Sequence, residues 1–357
     1  MDLTAEQVLA HRASVQGLSG GDLGVLALGV VDSPPNTGEA ALAVRRLGHG
    51  EPLVRVLSLR GAPHLHRPAD LPALRRQLRP RTPEQLAAWC GAHPVPALEH
   101  VDLVVAAMGA AMAEQFSSAS ATKGELSGAI TASLPPDVRP HCGPCGTGHV
   151  IEGLFRLCTL LAGLELEPAG VKLLFRRPIA VSAGSAGRDP SAGADPAVPG
   201  LVRDHARFVG PFAKADVLRW LGAGPQRWPE SVPVRVGGRR LHLPADDPGG
   251  WADPAPEPPA GLLLFPRDPY LLGPRWLLAD ADVAKRVWRP VGSPGALVVH
   301  GRVVGAWRYA FSGRTMSFHV ERWSAVRGAA RRAVRDQADV LAGVWGRDAL
   351  GAVVVEW

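Results

Sequence analysis

The stretch between residues 122 and 177 constrains the fold of this chain most, because helix and hairpin signals follow one another there in a fixed order. Thr122 and Glu125 have the spacing of a capping box, in which two side chains satisfy backbone amides at the start of a helix. The apolar periodicity predicts a helix over Lys123–Leu134 and a second helix over His149–Gly163, followed by two alternating strands. Helix, turn, helix and a two-stranded wing is the outline of a winged-helix module, whose second helix enters the major groove of DNA.

Four basic residues accompany this module. Lys123 opens its first helix, and Lys172, Arg176 and Arg177 lie on the predicted wing. We expect all four to contact DNA, because lysine and arginine side chains at such positions neutralise phosphates. The alternative is an ordinary helical hairpin followed by two strands, which shares the same outline.

Similar orders of elements are predicted on both sides of this module. Thr4 begins a capped helix near the N-terminus, and Asn36 predicts the start of another capped helix. The clearest hairpin of the chain is centred on Gly237-Gly238, which fits a two-residue turn. Arg239 and Arg240 follow that turn, and we expect them to contact DNA as well.

The predicted fold class is therefore α+β, with three tandem winged-helix modules and a small β-rich C-terminal domain. In that domain three strands form a meander, followed by a helix over Arg322–Trp345. The predicted divisions are winged helices at 1–80, 81–179 and 201–245, a flexible low-complexity linker at 180–200, and the β-rich domain at 261–357.

Bulk composition restricts the class of protein only weakly. The net charge of +6 permits an anionic partner, but of the 39 basic residues only four are lysines, a bias that a GC-rich genome also imposes. The longest apolar run, Leu103–Ala113, is far shorter than the roughly 18–20 residues of a membrane span. Four cysteines do not form a disulfide scaffold in a chain of 357 residues, and the N-terminus lacks a signal-peptide pattern. We expect a soluble, cytoplasmic monomer that needs no cofactor and contacts no membrane.

Two groups of residues have the spacing of metal ligands or of polar contacts. Cys142, Cys145 and His149 have metal-ligand spacing, with Cys158 as a fourth zinc ligand to consider, although the helical periodicity places Cys158 inward. The alternatives for this group are a loop with partly buried thiols and a redox-active pair.

The second group follows a predicted strand. His64 and His66 alternate along it and share one face, and Arg60 precedes them in a tight turn. We expect these three side chains to approach DNA phosphates or a damaged base. The alternative is packing at the protein surface.

Seven segments spread over nearly the whole chain resemble, in the same order, one known family. They are VLAHRASVQGL (8–18), LGVVDSPP (28–35), LRGAPHLHR (59–67), TKGELSGAI (122–130), CGPCGTGHV (142–150), FPRDPYLLGPR (265–275) and PGALVVHGRVVGAWR (294–308). The family is that of the winged-helix DNA glycosylases, which excise bulky alkylated purines and unhook interstrand crosslinks. The resemblance implies three tandem winged helices and a β-rich domain around a basic cleft for double-stranded DNA, and hydrolysis without a metal.

The chain departs from that family at the catalytic motif, which is Gln, a hydrophobic residue, and Gln or Asp. The resemblance places this motif at Val31, Asp32 and Ser33, so that valine stands where the first glutamine is expected. Asp32 is the group of this slot that is able to act as a base or to stabilise positive charge on the sugar. The alternative role of Asp32 is that of a turn residue. The resemblance therefore implies either a monofunctional DNA glycosylase or a non-catalytic DNA binder, a regulator or lesion-shielding protein, on the same scaffold; a structural protein is a third class.

Overall fold

The structure, a computed structural model, describes residues 1–19, 24–45, 52–116, 120–170, 172–178, 200–246, 250–251, 253–349 and 354–356. The predicted linker at 180–200 lies outside the described residues, apart from Gly200. Helices and strands alternate along the chain, so the content is mixed α and β, as predicted.

The first part of the chain surrounds a small three-stranded sheet. Its elements are β1 (Asp2–Leu3), α1 (Ala5–Val15), a 3-10 turn (Gly24–Leu28), β2 (Val30–Val31), α2 (Thr37–Ala43), β3 (Val54–Leu57), β4 (Pro63–His66) and α3 (Leu71–Leu78). The strand order is β2-β4-β3, so β4 is central. The capping box at Thr4 is confirmed, because its side chain accepts from the amide of Gln7.

The start of α2 differs from the prediction. Asn36 lies in the left-handed region at φ 74°, and its side chain makes no capping hydrogen bond. The carboxylate of Asp32 instead accepts from the amide of Gly38 at 2.8 Å. A residue that directly follows β2 therefore caps this helix, which local sequence rules do not anticipate.

The middle part contains the stretch between residues 122 and 177. Its elements are α4 (Pro83–Cys90), α5 (Glu99–Glu114), α6 (Lys123–Thr131), β5 (His141–Cys142), β6 (Thr147–Gly148), α7 (Glu152–Leu161), β7 (Glu165–Ala169) and β8 (Lys172–Arg176). The capping box of Thr122 and Glu125 is confirmed. The second helix begins at Glu152 rather than at His149, because the small hairpin β5–β6 precedes it.

The third part is built on the predicted hairpin. Its elements are α8 (Gly200–Val209), α9 (Lys214–Leu221), β9 (Ser231–Val236) and β10 (Arg239–Pro244). Gly237 and Gly238 have φ values of 52° and 77°, which confirms a two-residue turn that needs glycine. Strand β1 pairs in parallel with β9, so the first residues of the chain complete this sheet.

The C-terminal part is a sheet with the predicted meander. Its elements are β11 (Leu262–Leu264), α10 (Arg275–Leu278), α11 (Ala281–Val287), β12 (Gly295–Val299), β13 (Arg302–Ser312), β14 (Thr315–Arg322), α12 (Gly328–Val344), β15 (Asp348–Ala349) and β16 (Val354–Glu356). The order is β11-β12-β13-β14-β15, and β16 also pairs with β14. The predicted helix over Arg322–Trp345 begins only at Gly328, because β14 continues through Arg322.

Two hydrophobic cores hold these parts together. One belongs to the middle part and includes Met108, Phe155 and Phe175. The other is shared by the first, third and C-terminal parts, which therefore fold around common buried side chains. No helix among the described residues has the length and hydrophobicity needed to cross a membrane.

A buried ion pair joins the first part to the C-terminal part. The guanidinium of Arg45 donates to both carboxylate oxygens of Asp268, at 2.7 and 3.0 Å, and neither side chain is exposed to solvent. Arg45 also donates to the backbone carbonyl of Gln16 at 3.0 Å. Bidentate geometry and additional acceptors are what a buried charge pair requires to offset its desolvation.

Candidate active site

The motif slot, Val31, Asp32 and Ser33, begins at the last residue of β2 and continues beyond the end of that strand. Val31 is opposite His64 in the register between β2 and β4, and the amide of Asp32 donates to the carbonyl of Pro63 at 2.9 Å. Side chains of successive extended residues point to opposite faces, so Asp32 is buried whereas Ser33 is exposed. The sheet thus fixes which of the three side chains reaches solvent.

The carboxylate of Asp32 is enclosed by protein groups. One oxygen forms an ion pair with Nε of Arg55, and the other accepts from the amide of Gly38. The same guanidinium donates to Glu39 at 3.3 Å. In this conformation the Asp32 side chain is fully buried and faces Arg55 and α2. Its predicted catalytic role stays a prediction.

An open pocket of about 240 Å³ lies directly beside Ser33. Ser33, Pro34 and Thr37 form one side of it. The other side comes from the C-terminal part, namely Phe265, Pro266, Ser293, Pro294, Gly295, Trp307, Arg308 and Tyr309. We call this cavity the Ser33 pocket.

The aromatic rings of the Ser33 pocket are held in fixed positions. The rings of Phe265 and Trp307 meet edge to face with centroids 5.0 Å apart, and Trp307 Nε1 donates to the carbonyl of Leu264 at 3.0 Å. The Tyr309 ring lies 6.1 Å from that of Trp307, and burial raises the pKa of its hydroxyl. This pocket was not predicted from the sequence, although Trp307, Tyr309 and Phe311 alternate along β13 and thereby indicate an aromatic face.

His64 and His66 are buried side chains in the central strand of the first sheet. Burial lowers the pKa of His64 to about 4 and that of His66 to about 3, so both imidazoles are neutral at pH 7. The hydroxyl of Ser58 lies 3.0 Å from Nε2 of His66, and Nδ1 of His64 donates to the carbonyl of Ala62 at 2.8 Å. These two side chains face the interior of the protein. Arg60 is exposed and donates to the carbonyl of Arg219 at 2.7 Å.

The other predicted DNA-contacting residues lie at the surface in different environments. Lys123 pairs with Glu152, and Arg176 pairs with Glu165 at 3.0 Å. Four more are exposed, namely Lys172, Arg177, Arg239 and Arg240. That these residues contact DNA stays a prediction.

The hairpin β9–β10 carries a basic residue that the sequence analysis missed. Arg235 is directly opposite Arg240 in the register of the two strands, and both are exposed. The guanidinium of Arg239 stacks on the Trp276 ring at 4.6 Å. Like charges directly opposite each other destabilise a sheet, so this arrangement is favoured when an anion lies between them.

The three residues with metal-ligand spacing come together in the fold. The ligand atoms of Cys142, Cys145 and His149 all lie within 4.8 Å of one another. Cys158 is not part of this cluster, because it is buried in the middle core with its thiol 3.7 Å from the carbonyl of Val101. Cys158 as a fourth ligand is therefore wrong, and the helical periodicity had placed this residue correctly.

The complete fold is similar to that of a solved DNA glycosylase. The comparison is with AlkZ of Streptomyces sahachiroi, at a TM-score of 0.68 and 22% sequence identity, and it covers 98% of this chain and 99% of that one. A family model described as DNA glycosylase AlkZ-like matches residues 38–344. The chain belongs to this AlkZ-like family, which confirms the resemblance found in the sequence. No curated protein matches it.

Proposed function

We propose that this protein binds double-stranded DNA, takes a bulky N-alkylated purine into the Ser33 pocket and hydrolyses its N-glycosidic bond. The observation that carries the proposal is the pocket itself, because it joins the motif slot to an aromatic wall. Enzymes that act on a base extrude it from the duplex and hold it against aromatic and apolar side chains. Excision of a purine that is one arm of an interstrand crosslink also unhooks the two strands.

The order of elements supports three winged-helix modules as the DNA-binding scaffold. In the middle part, α5, Ala121, α6, α7 and β7–β8 follow in the order helix, strand, helix, helix, hairpin. The backbone of Ala121 pairs with Phe175 through two hydrogen bonds of 2.8 Å, which adds a third strand to the wing. Phe212 pairs in the same way with His242 of β10, and β2 pairs with β4 in the first part.

Among the three residues of the slot, we assign to Ser33 the role of positioning the attacking water. Its side chain lines the pocket and is exposed, so the hydroxyl is able to hold water against the anomeric carbon. The oxygen of water bonds to that carbon as the carbon–nitrogen bond breaks, the base leaves with the electron pair, and the water proton passes to solvent. Asp32 is then a positioning residue, which fixes the loop through Arg55 and Gly38.

A test of the chemistry uses duplex DNA that carries one bulky 7-alkylguanine, with cleavage at abasic sites as the readout. We expect the wild-type protein to release the base, and Ser33→Ala to slow the release by roughly 10²-fold. We expect Asp32→Asn to reduce both folding stability and excision, because it removes the buried carboxylate that pairs with Arg55 and leaves that guanidinium only the half-exposed Glu39, 3.3 Å away, as an acidic partner.

The double variant Asp32→Asn with Arg55→Met separates the two roles of Asp32. It removes both buried charges, so a pure positioning role predicts that stability and excision recover together. If stability recovers and excision does not, Asp32 itself takes part in the reaction, as the sequence analysis predicts. No release of base by the wild-type protein, with DNA binding retained, contradicts the glycosylase function.

Non-catalytic DNA binding is the second candidate function, and two observations favour it. Val31 offers no hydrogen bond at the place of the first glutamine of the motif, and the charge of Asp32 is compensated by Arg55. A protein of this kind shields a lesion or regulates a promoter through the same pocket and basic surfaces. Binding of alkylated DNA without the appearance of abasic sites identifies it.

The hairpin β9–β10 provides a prediction about DNA affinity. Replacing Arg235 and Arg240 with serine is expected to weaken duplex binding about equally for all sequences. The slope of the logarithm of the binding constant against the logarithm of the salt concentration is expected to decrease by the amount that corresponds to about two phosphate contacts. Fluorescence anisotropy over a series of salt concentrations measures this slope. Lys285→Ser with Arg314→Ser is the control, since it makes the same change in net charge at two exposed positions elsewhere. An equal loss of slope in both double variants contradicts a specific contact by the hairpin.

A further inference from the structure

We propose that Cys142, Cys145 and His149 bind one zinc ion, which orders the hairpin β5–β6 between α6 and α7. This site is separate from the Ser33 pocket and is independent of the proposed glycosylase chemistry. Thiolate and imidazole are the donors that zinc prefers in proteins. Cytosolic proteins use such cysteine pairs for metals more readily than for disulfides.

The backbone turn brings the two thiols to one side. The amides of Cys145 and Gly146 both donate to the carbonyl of Cys142, at 3.2 and 2.9 Å, and Gly146 takes the positive φ of 66° that this turn requires. All three ligand atoms lie within 4.8 Å of one another. Zinc bonds to sulfur and nitrogen are about 2.3 and 2.0 Å long, so ligand atoms of a tetrahedral ion are about 3.5–3.8 Å apart. Small side-chain rotations therefore close the cluster around an ion.

The imidazole of His149 is oriented to bind zinc through Nε2. Its Nδ1 lies 2.9 Å from the backbone carbonyl of Val150. A carbonyl oxygen only accepts, so the proton of the neutral ring is on Nδ1 and Nε2 keeps its lone pair. A backbone carbonyl that fixes the tautomer in this way is the usual outer partner of a metal-bound histidine.

The hairpin β5–β6 has little packing to stabilise it. Its two strands are two residues long, with His141 opposite Gly148 and Cys142 opposite Thr147. None of the residues from 141 to 149 is buried, so the hairpin contributes nothing to either hydrophobic core. An isolated hairpin of this length is at best marginally stable in water. We expect metal coordination to provide the stability that packing does not, because a structural zinc ion stabilises the fold of the segment that carries its ligands.

Within the described part of the chain, no fourth cysteine, histidine or carboxylate joins the cluster. Water therefore completes the tetrahedron around the ion. Lys123 and Glu152, the first residues of α6 and α7, form an ion pair with each other. The metal thus fixes the connection between α6 and α7, and the wing β7–β8 follows α7 directly.

The test measures zinc in the full chain purified without a histidine tag and dialysed against metal-free buffer. Elemental analysis by inductively coupled plasma mass spectrometry is expected to give about one zinc ion per chain. The variant Cys142→Ser with Cys145→Ser is expected to lose at least four fifths of it, and His149→Ala is expected to bind it less tightly. His93→Ala is the matched control, because His93 is exposed and lies outside the cluster; it is expected to retain the metal.

A second measurement keeps the proposal testable if the cysteine variants do not fold. Cobalt(II) added to the chelator-treated wild-type protein is expected to produce the charge-transfer absorption of thiolate ligands. Hydrogen exchange at residues 141–149 is expected to become faster when the metal is removed. A folded wild-type protein without zinc and without the cobalt band overturns the proposal. So does a serine variant that retains the full amount of zinc, or a metal-free protein in which Cys142 and Cys145 form a disulfide.

Discussion

Replacing Asp268 with asparagine is expected to lower the free energy of unfolding by about 3–5 kcal/mol. The carboxylate accepts from two nitrogens of Arg45, and both side chains have no exposed surface. Asparagine has nearly the same shape but no charge, so the variant leaves a guanidinium buried without an opposite charge. Because the pair joins the first part of the chain to the C-terminal part, the Ser33 pocket between these parts is expected to lose its shape as well.

Urea unfolding followed by circular dichroism measures this change as a lower midpoint. Asp282→Asn is the matched control, because Asp282 pairs with Lys285 at 3.2 Å on the surface with 94% of its side chain exposed. Exposed ion pairs contribute little, so no shift of the midpoint is expected in the control. Equal midpoints for Asp268→Asn and the wild-type protein contradict the structural role of the buried pair.

Acid is expected to destabilise the folded protein steeply below pH 6.5. Three buried histidines have lowered pKa values, about 4 for His64 and about 3 for His66 and His205, and the main cause is desolvation. In the unfolded chain histidines titrate near 6.5, so between pH 6.5 and pH 4 the unfolded state binds more protons than the folded state. Stability is therefore complete above pH 6.5 and falls as the pH decreases. The three histidines together are expected to contribute a loss of about 3 kcal/mol between pH 6 and pH 5. The Asp204 carboxyl, whose pKa burial raises to about 7, offsets about 1 kcal/mol of it, because the folded state takes up this proton first.

Urea titrations at pH 7, 6 and 5 measure this dependence. His205 provides a variant, because its ring contacts those of Phe212 and Trp220, and neither ring nitrogen has a hydrogen-bond partner within the described structure. His205→Phe is expected to reduce the acid-induced loss by about 1 kcal/mol per pH unit, while His93→Ala at the surface leaves it unchanged. A midpoint that does not vary between pH 7 and pH 5 is incompatible with three buried neutral imidazoles.

Local features of this chain were predictable from the sequence because their causes lie within a few residues. The capping box at Thr122 and Glu125 needs only a spacing of three, and the turn at Gly237-Gly238 needs only two residues that accept positive φ. The cluster of Cys142, Cys145 and His149 was visible for the same reason, since it spans a single turn and hairpin. Ordered short segments were also sufficient to indicate the family, which the comparison with residues 38–344 confirms.

The chemistry at the centre of the molecule depended on tertiary structure. Sequence rules predicted that Asn36 caps α2 and left Asp32 as a free carboxylate, whereas in the fold Asp32 caps that helix and pairs with Arg55. The Ser33 pocket joins residues near 33 to residues near 307, and the ion pair of Arg45 and Asp268 spans a similar separation. No periodicity or spacing encodes such contacts, because they arise only when distant segments bury their apolar faces against one another. The sequence by itself thus determined the capping boxes at Thr4 and Thr122, the glycine turn and the family, and the packing of distant segments decided which side chain of the slot faces the pocket.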